Sequence, residues 1–156
     1  MGKTFIIATF AFLIDQFSKW YVVFHLDLKT RFAIDVLPPL LNFRMGWNTG
    51  INFGLFAGHS DVMRWVLTGI AVLISLAVLW YARRFKGWGA ALLFGTIIGG
   101  ALGNAYDRVA YGAVADFLNV SCCGWENPNV FNIADIFVFF GAFGLIFFSE
   151  KLKKRA

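Results

Sequence analysis

GGALGNAYDRVAYGAVADFLNVSCCGWENPNVFNIAD, residues 99–135, decides how the rest of the chain is read. It carries four of the chain's nine acidic residues, Asp107, Asp116, Glu126 and Asp135, in a setting that is otherwise overwhelmingly apolar. An ionised carboxylate at the edge of a bilayer is costly, so each of these is a functional candidate. Asp116 and Asp135 stand at the ends of two apolar segments expected to reach the same side. Carboxylates that converge can share one proton, and such a pair can activate water.

Composition supports the bilayer. The 156 residues are 59% hydrophobic and 15% charged, with a mean hydropathy of +0.67, whereas soluble domains carry about 25% charged residues. The length accommodates roughly four spans of about 20 residues each plus one sizeable loop. The net charge of +5 does not indicate nucleic acid, because the basic residues cluster beside apolar segments and report topology instead. The two cysteines, Cys122 and Cys123, are neighbours. Without Cys-x-x-Cys or Cys/His spacing no metal site is expected, and adjacent cysteines read as free thiols with no catalytic part. His25 and His59 lie far apart and read as solvated loop residues.

Working outward, the third span (residues 88–106) precedes Asp107 and the fourth (130–149) contains Asp135. The third carries Gly95, Gly99 and Gly103 at four-residue intervals, a small-residue face on which another helix can pack closely. The second span, residues 65–82, has 18 residues without a charge and is followed at once by Arg83, Arg84 and Lys86. The first, residues 5–24, contains Asp15, Gln16, Ser18 and Lys19, which should face the bundle interior. Asp15 and Lys19 are spaced for a helical ion pair. That pair either neutralises a polar helix or positions a site, and spacing alone leaves both open. Asp15 and Lys19 also interrupt the apolar amino terminus, so it reads as a retained anchor and not a cleaved signal. Ile6 stands where a myristoylation motif requires Ser or Thr.

Four spans place the amino terminus, the 83–86 loop and the carboxy terminus on one side. Their Lys and Arg residues number one, three and four, eight of the chain's 14, which makes that side cytoplasmic. Loops 25–62 and 107–130 are then outside. In the first of these, Pro38-Pro39 breaks any helix, and LNFRMGWN alternates loosely before the turn signal Asn48-Thr49-Gly50. This reads as a small β cradle on the membrane surface between helices 1 and 2, with Trp47, Phe53 and Phe56 touching lipid. The expected fold is thus an all-α membrane protein of four transmembrane helices with that cradle, forming a single domain.

At about 1.5 Å per helical residue, Asp116 falls near the outer interface and Asp135 roughly 6 Å, one turn, below it. Lys19 lies at similar depth, Asp15 one turn deeper, and Asn104, Arg108 and Asn132 flank the same layer. Convergence from several segments favours a site over scattered polarity. A Ser–Lys pair is disfavoured because Ser18 and Lys19 point to different helix faces. A proton or ion pathway remains possible, although the acids leave the inner half of the membrane without relay groups.

Five blocks carry a resemblance: DQFSK at 15–19, NTGINFG at 48–54, GGALGNAYDR at 99–108, GAVADF at 112–117 and FNIAD at 131–135. In this order and spacing the chain resembles the lipoprotein signal peptidases (signal peptidase II), aspartic peptidases of bacterial membranes. The resemblance covers essentially the whole chain. Ala105-Tyr106 and Ala115 depart from commoner aliphatic choices, and residues 118–130 match no family motif. The resemblance implies that Asp116 and Asp135 are the catalytic pair, supported by Asp15, Lys19, Asn48, Gly50, Asn104, Arg108 and Asn132. It implies cleavage just before a diacylglyceryl-modified cysteine, releasing the signal peptide of a prolipoprotein, with no metal or organic cofactor. The chain is expected in the bacterial inner membrane as a monomer among phospholipids, with the site near the outer leaflet. The competing reading is a small transport or assembly subunit that uses its carboxylates without proteolysis.

Overall fold

Apolar residues uninterrupted by proline carry the first 25 residues as one helical rod. In the computed structural model, which describes residues 1–50 and 61–153, α1 covers Gly2–Lys19 and continues as a π-helical turn over Trp20–His25. The short helix α2 (Leu28–Arg31) leads into strands β1 (Ala33–Leu37) and β2 (Leu41–Asn48). Helices α3 (Asp61–Ala82) and α4 (Trp88–Tyr111), strand β3 (Val114–Val120) and helix α5 (Ile133–Lys153) follow.

Helix α4 is central and touches α1, α3 and α5. Its glycines make this possible. A Cβ at Gly95 would come within 2.7 Å of Ile7, one at Gly103 within 2.5 Å of Asp15 Oδ2, and one at Gly100 within 2.5 Å of the Ala134 carbonyl. The small-residue face thus admits α1, and the neighbouring Gly100 admits the start of α5. The opposite surfaces are apolar and exposed: Val62, Leu73, Ile146 and Phe147 are each at least two-thirds exposed. Water does not tolerate such a belt. The rod Gly2–His25, α3 and α4 are each long and apolar enough to cross a bilayer, and α5 carries a shorter apolar part over Ile133–Phe148. The chain is a multi-pass membrane protein.

The sheet is antiparallel in the order β1-β2-β3. Asp35 lies across from Asn42, which lies across from Asn119, and Gly46 lies across from Asp116. One face packs Ile34, Phe43, Met45 and Phe117 onto Val22, Val23 and Leu28 of the helical layer.

Several boundaries differ from expectation. The β cradle is not confined to the segment between the first two spans, because β3 comes from the later loop. A two-stranded ribbon is marginal by itself, and the third strand gives β2 a partner on each side. Helix α4 runs five residues past 106, since Asp107 and Arg108 are buried and paired and need no exit to water. It stops at Gly112, whose φ of 86° and N–H bond to the Arg108 carbonyl form a left-handed cap. Helix α3 begins at Asp61 instead of 65, because Arg64 bonds the Val109 carbonyl at 2.6 Å and covers the Trp65 ring.

Cys122 and Cys123 are joined in a disulfide and are not free thiols. The Cys122–Trp125 bridge closes a tight turn with positive φ at Cys123 and Gly124, which sets the adjacent sulfur atoms side by side. His25 is not simply solvated, as it stacks on Trp20 and Tyr21. Trp47 is half exposed beside Tyr111, whereas Phe53, Phe56 and His59 lie outside the described residues.

Candidate active site

Helix α5 starts where it does because Asn132 caps it. The Asp135 N–H donates to Asn132 Oδ1 at 3.0 Å, and the Asn132 N–H donates back to Asp135 Oδ2 at 3.2 Å. This is the reciprocal capping box, with Asp in the position usual for Glu. It locks the Asp135 carboxylate at the mouth of the helix. The Asn132 amide then reaches further, donating to Asp116 Oδ1 at 2.6 Å and to Asn104 Oδ1 at 3.0 Å. One residue therefore holds both carboxyl groups.

Each carboxylate has a second amide donor. Asn48, at the end of β2, donates to Asp116 Oδ2 at 3.0 Å, and Asn104, on α4, donates to Asp135 Oδ1 at 3.0 Å. The Asn48 side chain is fixed by the turn signal itself, since the Gly50 N–H donates to Asn48 Oδ1 at 3.0 Å. Arg108 bonds the Gly50 carbonyl at 2.7 Å and the Asn104 carbonyl at 3.2 Å. Its Nε is buried without a partner among the described residues.

Beneath this layer lies a buried ion cluster. Lys19 Nζ sits 2.8 Å from Asp15 Oδ2 and 2.7 Å from Asp107 Oδ2, and donates to Asn104 Oδ1 at 3.1 Å. Gln16 donates to Asp107 Oδ1 at 2.9 Å. The same carboxylates also hold backbone: Asp15 Oδ1 accepts from the Ala134 N–H at 2.9 Å, and Asp107 Oδ2, shared with Lys19, accepts from the Ala115 N–H at 3.2 Å. Ala134 and Ala115 immediately precede Asp135 and Asp116. Each buried acid is thus one residue removed from a member of the pair.

Burial of Asp116, and after it the charge of Asp135, push the Asp116 carboxyl from its ordinary 3.8 up to about 7, against the lowering pull of the Asn48 and Asn132 bonds. A carboxyl poised there can hold a proton or release one near neutrality. Beside Asp135 an apolar groove of about 510 Å³ opens along α5, lined by Ile136, Phe139 and Phe143, so Asp135 borders an apolar opening.

All nine residues singled out in the sequence fall into this one network. Asp107 and Gln16 belong to it as well, although neither has a place in the site on sequence alone. Asp107 is one of the four acids in the opening stretch, but its place three residues after Asn104 became meaningful only once α4 was found to continue past it. Gln16 sits between Asp15 and Lys19 without a spacing signal of its own.

The model of the family described as Signal peptidase (SPase) II matches residues 7–150. A lipoprotein signal peptidase of Methylobacterium sp. (strain 4-46) is 42% identical over 138 residues, covering 86% of this chain and 80% of its own length. One from Methylorubrum extorquens (strain PA1) is 37% identical over 155 residues, covering 99% and 88%. A bacterial membrane enzyme solved by the in meso method at 2.3 Å resolution superposes with a TM-score of 0.75 at 25% identity, over 97% of this chain and 89% of that one. Sequence likeness over nearly the whole length and likeness of fold meet in one answer: this chain belongs to the signal peptidase II family.

Proposed function

We propose that the chain is a membrane-embedded aspartic endopeptidase that removes signal peptides from diacylglyceryl-modified prolipoproteins, cutting before the modified cysteine. The observation that carries this is the clamping of Asp116 and Asp135 by the single residue Asn132, whose side-chain amide holds the Asp116 carboxylate and whose backbone N–H holds that of Asp135. With one proton between them, the ionised carboxylate takes a proton from water while the protonated one gives its own to the scissile carbonyl oxygen. The resulting gem-diol collapses as the amide nitrogen accepts the proton from the first carboxyl and the second recovers its own. Both groups end as they began, and neither metal nor organic cofactor enters the reaction.

Asn104 and Asn132 keep the carboxyl oxygens aimed, and Asn48, Gly50 and Arg108 form the wall along which the substrate backbone lies. Asp15 and Lys19 position the α5 start through Ala134. In the membrane, the rod of α1, α3, α4 and α5 make four spans with both termini cytoplasmic and the pair near the outer leaflet. The sheet rests on the outer surface, and the single domain works as a monomer among phospholipids. At that depth the pair meets both the diacylglyceryl group and the carboxy-terminal end of a signal peptide.

Purified chain in detergent is expected to cleave a diacylglyceryl-modified precursor in the presence of EDTA and phenanthroline, whereas Asp116→Asn and Asp135→Asn remain folded and inactive. Either variant retaining a tenth of wild-type turnover removes that residue from the catalytic role. Unimpaired processing by both variants favours the transport or assembly reading.

A further inference from the structure

The sheet has a second face, away from the helices, and it is not featureless. A groove of about 560 Å³ runs between that face and the 121–130 turn, with Asn42, the Asp35–Arg44 ion pair, Trp125, Glu126 and Val130 among its walls. Most of the polar atoms there are already used. Asn119 donates to the Asn127 and Asn129 carbonyls at 2.7 and 2.9 Å and accepts from Ser121 Oγ at 2.9 Å, and Ser121 Oγ accepts from the Asn127 N–H at 3.1 Å. These bonds fix the turn as a rigid wall.

Asn42 is the exception. It is 7% exposed, and its amide donates to the Pro39 carbonyl at 3.3 Å, but Oδ1 has no partner among the described residues. A buried acceptor left unmatched is costly and calls for a donor. With Asp35 and Arg44 neutralising each other, the unspent groups of the groove among the described residues are acceptors, Asn42 Oδ1 and the Glu126 carboxylate. That balance suits backbone N–H groups and repels a lipid phosphate.

The groove also adjoins the carboxyl pair. Asn127 and Val130 line both it and the apolar groove beside Asp135. Val130 Cγ2 lies where a Cβ on Gly46 would stand, and Gly46 is the residue across from Asp116. Val130 thus stands between the carboxyl pair and the polar groove.

We infer that this groove binds the polypeptide segment that follows the modified cysteine, with Asn42 Oδ1 accepting one of its backbone N–H groups. The inference rests on the peptidase reading above and adds a second contact region remote from the reacting bond. Binding there acts on KM and leaves the chemical step alone.

The test uses the full chain and two diacylglyceryl-modified precursors that share a signal peptide. One ends directly after the modified cysteine and the other continues for about eight residues. Wild type is expected to cleave both, with a KM about three- to tenfold lower for the longer, the worth of one or two hydrogen bonds. Asn42→Ala and, independently, Trp125→Ala on the exposed turn should remove that advantage while leaving kcat and KM for the short precursor unchanged. Equal KM for the two precursors in wild type overturns the inference. So does an equal rise in KM for both in the two variants, since that reports a distorted fold. Failure of wild type to cleave either precursor overturns the peptidase reading, and this inference with it.

Discussion

Replacing Asn132 separates holding the helix from holding the carboxyl pair. Asn132→Ser keeps an oxygen able to accept the Asp135 N–H but cannot reach Asp116 and Asn104, whereas Asn132→Ala loses all three. A hydrogen bond to a charged group contributes about 1.5–3 kcal/mol, and the bond to Asp116 Oδ1 is the shortest in the pair's surroundings at 2.6 Å. One pKa unit corresponds to about 1.36 kcal/mol, so losing this donor raises the Asp116 pKa by roughly one to two units. The pH–rate profile of both variants should move upward by that amount, with kcat lowered roughly 10- to 100-fold by the same energy. In thermal unfolding, Asn132→Ala should lie about 1 kcal/mol below Asn132→Ser, the usual worth of an N-cap. Cleavage of a lipid-modified precursor between pH 5 and 9, with unfolding followed in the same detergent, reads all three quantities. A serine variant with wild-type kcat and an unmoved profile refutes the claim that Asn132 tunes the pair.

Because the folded state keeps on Asp116 a proton that the unfolded chain releases near 3.8, stability should fall as pH rises from about 4 to 7 and level off above. Asp116→Asn removes that penalty, so its unfolding temperature relative to wild type should be higher at pH 8 than at pH 4.5; a pH-independent difference rejects the assignment. Lys19→Gln strands two carboxylates and should cost about 3–5 kcal/mol. Adding Asp15→Asn should recover only part of this, since Asp107 remains unpaired, and the triple variant with Asp107→Asn should recover more while staying inactive; full recovery of stability and cleavage in the double variant means that Asp15 merely neutralises Lys19. Gly103→Ala drives a methyl against Asp15 Oδ2 and should cost about 1–3 kcal/mol together with cleavage. Gly69→Ala, with nothing within 4 Å of the added carbon, should instead be neutral or stabilising by up to about 1 kcal/mol, and similar losses in both alanine variants rule out a role for close α1–α4 packing.

The sequence displayed the helices and the polar layer because both leave composition signals: charges are scarce in this chain, so each one in an apolar run marks a position. The two aspartates stood out for that reason, Asn104 and Asn132 as polar groups at the same level, and Asn48 only through the resemblance carried by its motif. Strand β3 left no such signal. VADFLNV is buried at six of its seven positions, and a run without alternation cannot be told from irregular apolar chain. Asp107 was hidden by the opposite assumption, that an acid ends a span, which fails when a lysine on another helix neutralises it. The disulfide depends on a positive φ at Cys123, and no residue pattern announces a left-handed cysteine.

The spacing of the Lys19 cluster along the chain also has a meaning for biogenesis. Asn104 is 85 residues later than Lys19, and Ala134 is 119 later than Asp15. At about 5–20 residues per second of synthesis, α1 spends several seconds in the bilayer before any of its distant partners leaves the ribosome. Throughout that interval Lys19 has one neutralising companion, Asp15, a single helical turn away. With this pair intact, Asp15 and Lys19 together contribute no net charge while α1 waits for α4.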